Sequence, residues 1–247
     1  MKRLLLFALA LAAATGPGFA QADPEVSTTP SAMFELMKPE GWFFGLHGAL
    51  GRREVAPRDG GDVLDFDTTR VVALVGMRPL PFWAVALDAG VAEADHGDAD
   101  GEFGFSWGAR TRLNVAEYVI EHSPIVGKKR AVGVGLDASF SHSTSNHDRD
   151  FDWTEIHVAP VVSYLVSYLG AGHWYPYEPT GAILSLGVAY SRIDGRREGE
   201  ANLRENRDFG FLARVEMGFV EEWAFQVEAR YFGSSDYAGE LSIGFRF

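Results

Sequence analysis

Apolar and polar residues alternate with a period of two along most of the chain after residue 41. The clearest runs are FGFSWGARTRL (103–113), WAFQVEARY (223–231) and YAGELSIGFRF (237–247). Such alternation is typical of a β-strand with one apolar face. Similar runs occupy about 42–53, 66–78, 82–93, 131–144, 152–166, 182–193 and 207–219. The pattern therefore predicts an all-β protein with about ten antiparallel strands.

These strands are long for a soluble sheet and suit a tilted strand that crosses a membrane. Charged residues fall on the side opposite the bulky apolar ones: Arg110, Arg112, Arg214, Glu216, Glu228, Arg230 and Arg246. In a soluble sandwich they would face water, whereas in a membrane barrel they would face the lumen. Alternation alone leaves both architectures open.

Two further features favour the membrane barrel. Alternate connections are polar and mostly acidic, as in EADHGDADGE (93–102), which suits loops on one side of a membrane. Aromatic residues also cluster at strand ends, and Tyr and Trp prefer the headgroup level of a bilayer. The predicted girdle residues are Trp42, Phe43, Phe44, Phe82, Trp83, Phe151, Trp153, Phe209, Phe211, Trp223, Tyr231, Phe232, Tyr237, Phe245 and Phe247.

The C-terminal run YAGELSIGFRF, which ends in Phe247, resembles the closing signature of bacterial outer-membrane barrel proteins. That resemblance implies an antiparallel up-and-down transmembrane β-barrel. Eight to twelve strands fit the alternating segments, and ten are preferred because the polar connections then all fall on one side of the membrane. It also implies that the barrel-assembly machinery is a partner during insertion. The large inward residues of so narrow a barrel are expected to fill its lumen with ion pairs.

The N-terminus predicts export. Two basic residues precede an apolar stretch from Leu4 to Ala14, and small residues follow at the end of the segment, as in a cleaved signal peptide. We therefore predict a signal peptide at 1–22, a periplasmic linker at 23–40 and an outer-membrane barrel domain at 41–247. The formal net charge of −12 disfavours a nucleic-acid partner, and the absence of cysteine excludes thiolate chemistry.

His142 is the most conspicuous candidate for chemistry, because it falls on the apolar side of the fifth predicted strand. Thr144 shares its parity, and Asp152 and Thr154 of the next strand are expected to stand beside it. A histidine near a hydroxyl and an orienting carboxylate or amide is the arrangement that nucleophilic acyl transfer needs.

The run HSTSN (142–146) resembles the His-x-Ser motif of outer-membrane phospholipase A and lipid A deacylase barrels. The resemblance implies that His142 is the base, Thr144 or Ser145 the nucleophile, and Asn146 or Asp152 the orienting group. The sequence departs from the motif, since Thr144 occupies the serine position and the Ser-Asn pair lies one residue later.

Three functions remain open at this point. The leading prediction is a structural or surface-interaction barrel with acidic extracellular loops, a plugged lumen and no cofactor or metal, in contact with outer-membrane lipids and lipopolysaccharide. The alternatives are a lipid acyl hydrolase centred on His142 and a small specific channel.

Overall fold

The fold is seen in a computed structural model, which describes residues 42–57, 60, 62–80, 82–96, 101–123, 128–146, 151–168, 179–197, 202–205, 208–219, 223–233 and 236–246. The predicted signal peptide (1–22) and linker (23–40) lie outside these residues. No helix within the described ranges is long and apolar enough to cross a membrane.

The described residues form eleven strands and no helices. They are β1 (Trp42–Pro57), β2 (Leu64–Leu80), β3 (Trp83–His96), β4 (Glu102–Ser123), β5 (Lys128–Asn146), β6 (Phe151–Tyr168), β7 (Pro179–Arg197), β8 (Leu203–Glu205), β9 (Phe209–Phe219), β10 (Trp223–Tyr231) and β11 (Tyr237–Arg246).

Ten of these strands close into an antiparallel barrel. Each long strand pairs with the next one in the chain, and β11 pairs with β1 from Phe43↔Arg246 to Arg52↔Tyr237. The short strand β8 pairs with the ends of β7 and β1 instead of extending the ring. The predicted ten-stranded antiparallel barrel is thus confirmed. Below, the end of the barrel away from Trp42 and Arg246 is called the outer end.

The strands are tilted, as closure of a barrel requires. A path that starts at Trp42, the first residue of β1, and passes from each residue to its cross-strand partner therefore moves towards the outer end as it goes around the wall. The partners are Trp42, Met77, Val85, Thr111, Ala138, Val158, Tyr190 and Phe209.

The outward side chains form an apolar band around the barrel. On β3 the band runs from Trp83 to Val91, about the nine to eleven residues that a tilted strand needs to cross hydrocarbon. Beyond it, Glu93 and Asp95 continue the same outward face. Exposed members of the band include Leu46, Leu50, Val75, Leu87, Val91, Trp107, Leu186, Phe211, Val227 and Leu241. This apolar exterior is that of a transmembrane barrel.

The interior changes character along the barrel axis. Buried charged residues fill the membrane level, whereas an apolar cluster fills the outer end, consisting of Val55, Phe66, Ala92, Ala94, Phe151, Trp153, Ile193 and Leu203. The ring of Phe66 packs edge-on against Phe151 at 5.4 Å and against Trp153 at 5.7 Å. We call this cluster the apolar cap.

The burial of four aromatic side chains corrects part of the predicted aromatic girdle. Phe43, Phe151, Trp153 and Phe232 are 2, 3, 4 and 6% exposed, so they point into the barrel and not towards the headgroups. The prediction was wrong for these four because a strand end rich in aromatics can fill a core as well as a membrane interface. Parity along each strand distinguishes the two, since Phe151 alternates with the outward Asp152.

Candidate functional site

The lumen at membrane level holds a continuous network of ion pairs, centred on Arg214. Its guanidinium is 2% exposed and contacts Asp137, Glu216 at 3.0 Å and Glu228 at 3.2 Å. Arg112 joins the same carboxylates from the opposite wall, at 3.0 Å from both Asp137 and Glu216. One buried cation therefore sits among three buried carboxylates drawn from β5, β9 and β10.

The network continues towards the outer end through two further arginines. Arg110 contacts Asp88 at 2.9 Å and Glu240 at 3.3 Å. Arg230 contacts Glu228 at 2.7 Å and also binds Glu240. The side chain of Arg246 lies outside the described part of the molecule. These contacts confirm that the six other charged residues predicted to face the lumen do so and are paired there. They are Arg110, Arg112, Arg214, Glu216, Glu228 and Arg230.

Two histidines join this network. His47 Nδ1 lies 2.8 Å from Ser242 Oγ and 3.4 Å from Arg110 Nη1, and its side chain is buried. His157 is 3% exposed and lines a cavity of about 80 Å³ among the arginines and carboxylates. A second cavity of about 40 Å³ lies between Arg70, Glu155 and Arg230. Each of these two cavities has room for only a few waters.

A buried ion pair lies beside the apolar cap. Arg53 of β1 binds Glu205 of β8, and their side chains are 2% and 1% exposed. Arg53 also donates to Ser191 Oγ at 3.2 Å, and its guanidinium lies 3.5 Å from the ring centre of Phe232. Glu205 in turn accepts the backbone N–H of Ile193 at 2.9 Å. These contacts fix β8 between β7 and β1.

The outer rim carries the residue predicted to be a base. His142 faces outward on β5, and its Nδ1 lies 3.3 Å from Thr154 Oγ1 of β6, its direct cross-strand partner. The Trp107 ring of β4 lies 6.0 Å from the imidazole on the other side. The histidine is thus held on the barrel exterior by its two neighbouring strands.

The hydroxyls closer in sequence are engaged elsewhere. Thr144 Oγ1 accepts the backbone N–H of Phe105 at 2.9 Å and donates to its carbonyl at 3.2 Å, across a register shift between β4 and β5. Ser145 is 1% exposed on the opposite face, where it accepts the N–H of Ala94 and donates to the Glu102 carbonyl. Thr144 thereby stabilises a bulge.

The two predicted orienting groups, Asp152 and Asn146, lie nearer the ends of their strands than the His142–Thr154 pair. Asp152 faces outward opposite Thr144, two residue pairs beyond the His142–Thr154 pair and next to it on the outward face. Asn146 ends β5, and its side chain lies outside the described part of the molecule. The structure therefore brings His142 together with Thr154, a hydroxyl that the motif did not include. The sequence indicated this contact through parity, because Thr154 falls on the outward face of the next strand beside His142.

No three histidine or carboxylate side chains in the described ranges are arranged to hold a metal ion.

Comparison with known proteins shows no family for this chain. No protein-family model matches the sequence, and no curated protein matches it either. The outer-membrane protease OmpT from Escherichia coli is 8% identical, with 85% of this chain and 98% of that one covered and a TM-score of 0.41. The transport unit of the autotransporter AIDA-I from Escherichia coli is 11% identical, with 84% and 89% covered and a TM-score of 0.42.

The translocator domain of the autotransporter NalP from Neisseria meningitidis is 10% identical, with 84% and 88% covered and a TM-score of 0.36. These proteins differ in function, and their likeness to this chain is one of barrel architecture alone.

Proposed function

We propose that the protein is a bacterial outer-membrane barrel with an occluded lumen, which acts through its exterior and its outer end. The observation that carries this proposal is the filled interior. At membrane level the arginines and carboxylates bind one another, and two cavities among them measure about 80 and 40 Å³.

The apolar cap supports occlusion at a second level. A hydrated ion that reached the outer end would have to pass a dry cluster built around Phe66, Phe151 and Trp153. The adjacent Arg53–Glu205 pair holds β8 between the outer ends of β7 and β1, where the intervening strands β9 to β11 are shorter. Two barriers in series, one charged and one apolar, argue against a general diffusion pore.

The exterior beyond the apolar band supports a surface role. On β2 and β3 it presents Asp65, Asp67, Glu93 and Asp95. The first two are each 49% exposed and pair with Arg52 of β1, so the four carboxylates exceed the one arginine beside them. Carboxylates at this level suit contact with cationic partners, or with lipopolysaccharide phosphates through divalent cations. Outer-membrane lipids and lipopolysaccharide are therefore the partners we propose.

Conductance across a planar bilayer tests the proposal. The purified, refolded mature protein should insert without producing steps of current, while a general porin in the same membrane does produce them. The variant Glu205→Ala, which removes the buried partner of Arg53, is expected to stay closed because the lumenal network remains. Regular conductance steps from the wild-type protein would show that the lumen is open, and would favour the small specific channel.

A second candidate is a lipid acyl hydrolase, and one observation favours it. The outward imidazole of His142 lies within hydrogen-bond distance of the Thr154 hydroxyl. In such an enzyme His142 would take the hydroxyl proton as the threonine oxygen attacks an ester carbonyl, then return it to the leaving alcohol. Water would afterwards hydrolyse the acyl-threonine.

Lipid profiling separates the hydrolase from the occluded barrel. Cells that express the wild-type protein, His142→Ala or Thr154→Val should be compared for the acyl patterns of their lipid A and phospholipids. A hydrolase predicts that acyl chains are lost only with the wild type. Identical patterns in all three strains would eliminate the hydrolase and leave the occluded barrel untouched.

A further inference from the structure

Strand β4 projects beyond the rest of the wall at the inner end of the barrel, the end opposite to the outer end. Its pairing with β3 stops where Leu113 stands opposite Trp83, the first residue of β3. One further hydrogen bond follows, from the Asn114 N–H to the Phe82 carbonyl at 2.8 Å. β4 nevertheless continues to Ser123, paired with β5 on its other side. Among the described residues, no strand lies beside this projecting part of β4 on the side of β3.

The projecting part of β4 carries exposed apolar side chains. Val115, Tyr118 and Ile120 are 48, 63 and 55% exposed. Tyr118 begins a cross-strand row that continues through Val132 of β5 and Tyr164 of β6. The exposed apolar edge of a sheet is a template for pairing with another extended chain, and natural proteins cover or blunt such edges. A covering segment is therefore expected beside β4.

The chain itself supplies such a segment shortly before β1. Residues 23–40 are mostly polar, but the run MFELM (33–37) is apolar except for Glu35. Pro30 and Pro39 stand on either side of this run. Because proline cannot donate to a ladder, it is confined to the margins of a strand. The run is thus the part of 23–40 best suited to pair as a short strand.

The length of chain between this run and β1 suits the distance to the edge. A strand added to β4 on the side of β3 would lie in line with β3, two strand positions from β1. Two strand spacings amount to about 10 Å. Residues 38–41 span about 13 Å when extended, so they can cover that distance. The run would also point towards Trp42 at the inner end, which makes it antiparallel to β4.

We infer that residues 33–37 pair with the projecting part of β4 as an added antiparallel strand beside Val115, Tyr118 and Ile120. Backbone hydrogen bonds to the sheet edge hold the segment, as in other cases of β-strand addition. Attachment to β1 through residues 38–41 gives the segment an effective concentration of order millimolar, which a separate chain does not reach. The added strand prevents the edge from pairing with other chains. It lies at the inner end, so the inference is independent of lumenal occlusion.

Paired cysteines test the inference in the full mature protein, because the chain contains no native cysteine. Single cysteines at residues 33 to 37 are each combined with Tyr118→Cys, and isolated outer membranes are oxidised mildly. We expect an intramolecular disulfide at one or two of these positions, since only residues directly opposite in an antiparallel pair come close enough.

Tyr164→Cys is the matched control. Tyr164 lies on the same cross-strand row and the same outward face as Tyr118, but β5 and β7 flank its strand on both sides. With the same cysteines at 33 to 37, its disulfide yield should be at least fivefold lower than the best yield with Tyr118→Cys.

A second measurement uses the same two tyrosine positions without a partner cysteine. Replacing the four apolar residues of 33–37 by serine should raise the rate at which a maleimide labels Tyr118→Cys at least threefold, because the covering strand is lost. The rate for Tyr164→Cys should not change. Gel mobility before and after heating confirms that each variant is folded, and Ile120→Cys replaces Tyr118→Cys if that variant does not fold.

Three results would overturn the inference. The first is an equal disulfide yield with Tyr118→Cys and Tyr164→Cys. The second is a disulfide-linked dimer of Tyr118→Cys alone, which would assign the edge to a second copy of the chain. The third is a labelling rate of Tyr118→Cys that the serine replacement leaves unchanged, which would show that residues 33–37 do not cover the edge.

Discussion

Removal of Arg214 should destabilise the barrel strongly, because this side chain is the cation shared by three carboxylates in the lumen. In Arg214→Met the side chain keeps most of its length and loses its charge. Asp137, Glu216 and Glu228 then lose a partner that is itself 2% exposed. Each carboxylate keeps one other arginine, Arg112 for Asp137 and Glu216 and Arg230 for Glu228, but the cluster loses one buried positive charge that nothing replaces. Breaking a buried ion pair by removing one partner costs about 3–5 kcal/mol.

Two comparisons isolate the effect of burial. Arg192→Met removes an arginine whose pair with Asp194 is about one third exposed on each side, so its cost should stay below about 1 kcal/mol. Adding Asp137→Asn to Arg214→Met removes one buried negative charge, which restores the charge balance of the cluster, and should recover part of the loss. The free energy of unfolding is measured by urea titration in lipid vesicles, followed by the fluorescence of the tryptophans.

Equal losses of unfolding free energy in Arg214→Met and Arg192→Met would contradict this prediction. That result would mean that water reaches the lumenal carboxylates and solvates them, which contradicts a lumen filled by paired side chains. It would also remove the principal support for occlusion.

Three further outcomes are expected. Leu87→Arg places a charge on the lipid-facing wall, where the side chain is 64% exposed, and should cost about 2–4 kcal/mol in vesicle unfolding; an unchanged midpoint would argue against contact with hydrocarbon. Phe66→Ala leaves a void in the apolar cap and should cost about 3–5 kcal/mol, whereas a loss below about 1 kcal/mol would show that the cap is not packed. Thr144→Val removes both contacts to the Phe105 backbone and should cost about 1–3 kcal/mol without altering the lipid A profile; a changed profile would instead support a role in hydrolysis.

The barrel could be predicted because period-two alternation continues through ten long segments. Each strand has only two faces, so the side that carries Arg214 and Arg230 identifies the interior once the exterior is known to be apolar. The strand count followed from the same pattern and is confirmed. The ends were less accurate, since β4 continues to Ser123 and β5 to Asn146, beyond the predicted limits.

Strand β8 and the apolar cap could not be predicted, because both depend on contacts between residues distant in sequence. Leu203 to Glu205 occupy a polar run that looks like a loop, and they become a strand only by pairing with β7 and β1. Arg53 gives no local signal either, since its partner Glu205 is 152 residues later in the chain.

The candidate site was predicted in part. Parity placed His142 outward and brought Thr154 beside it, as the structure shows. The register shift between β4 and β5 was not visible in the sequence, so the engagement of Thr144 with the Phe105 backbone was missed.

Spin labels on β3 can show which face of the barrel wall contacts hydrocarbon. The chain has no cysteine, so single cysteines at residues 84 to 89 can each carry one nitroxide without interference. In vesicles, labels at Val85, Leu87 and Ala89 should collide readily with dissolved oxygen, because they face hydrocarbon. Labels at Ala84 and Ala86 face the packed lumen, so they should collide little with either oxygen or a water-soluble nickel reagent. Ready access of the nickel reagent to the labels at Val85, Leu87 and Ala89 would contradict contact of this face with hydrocarbon.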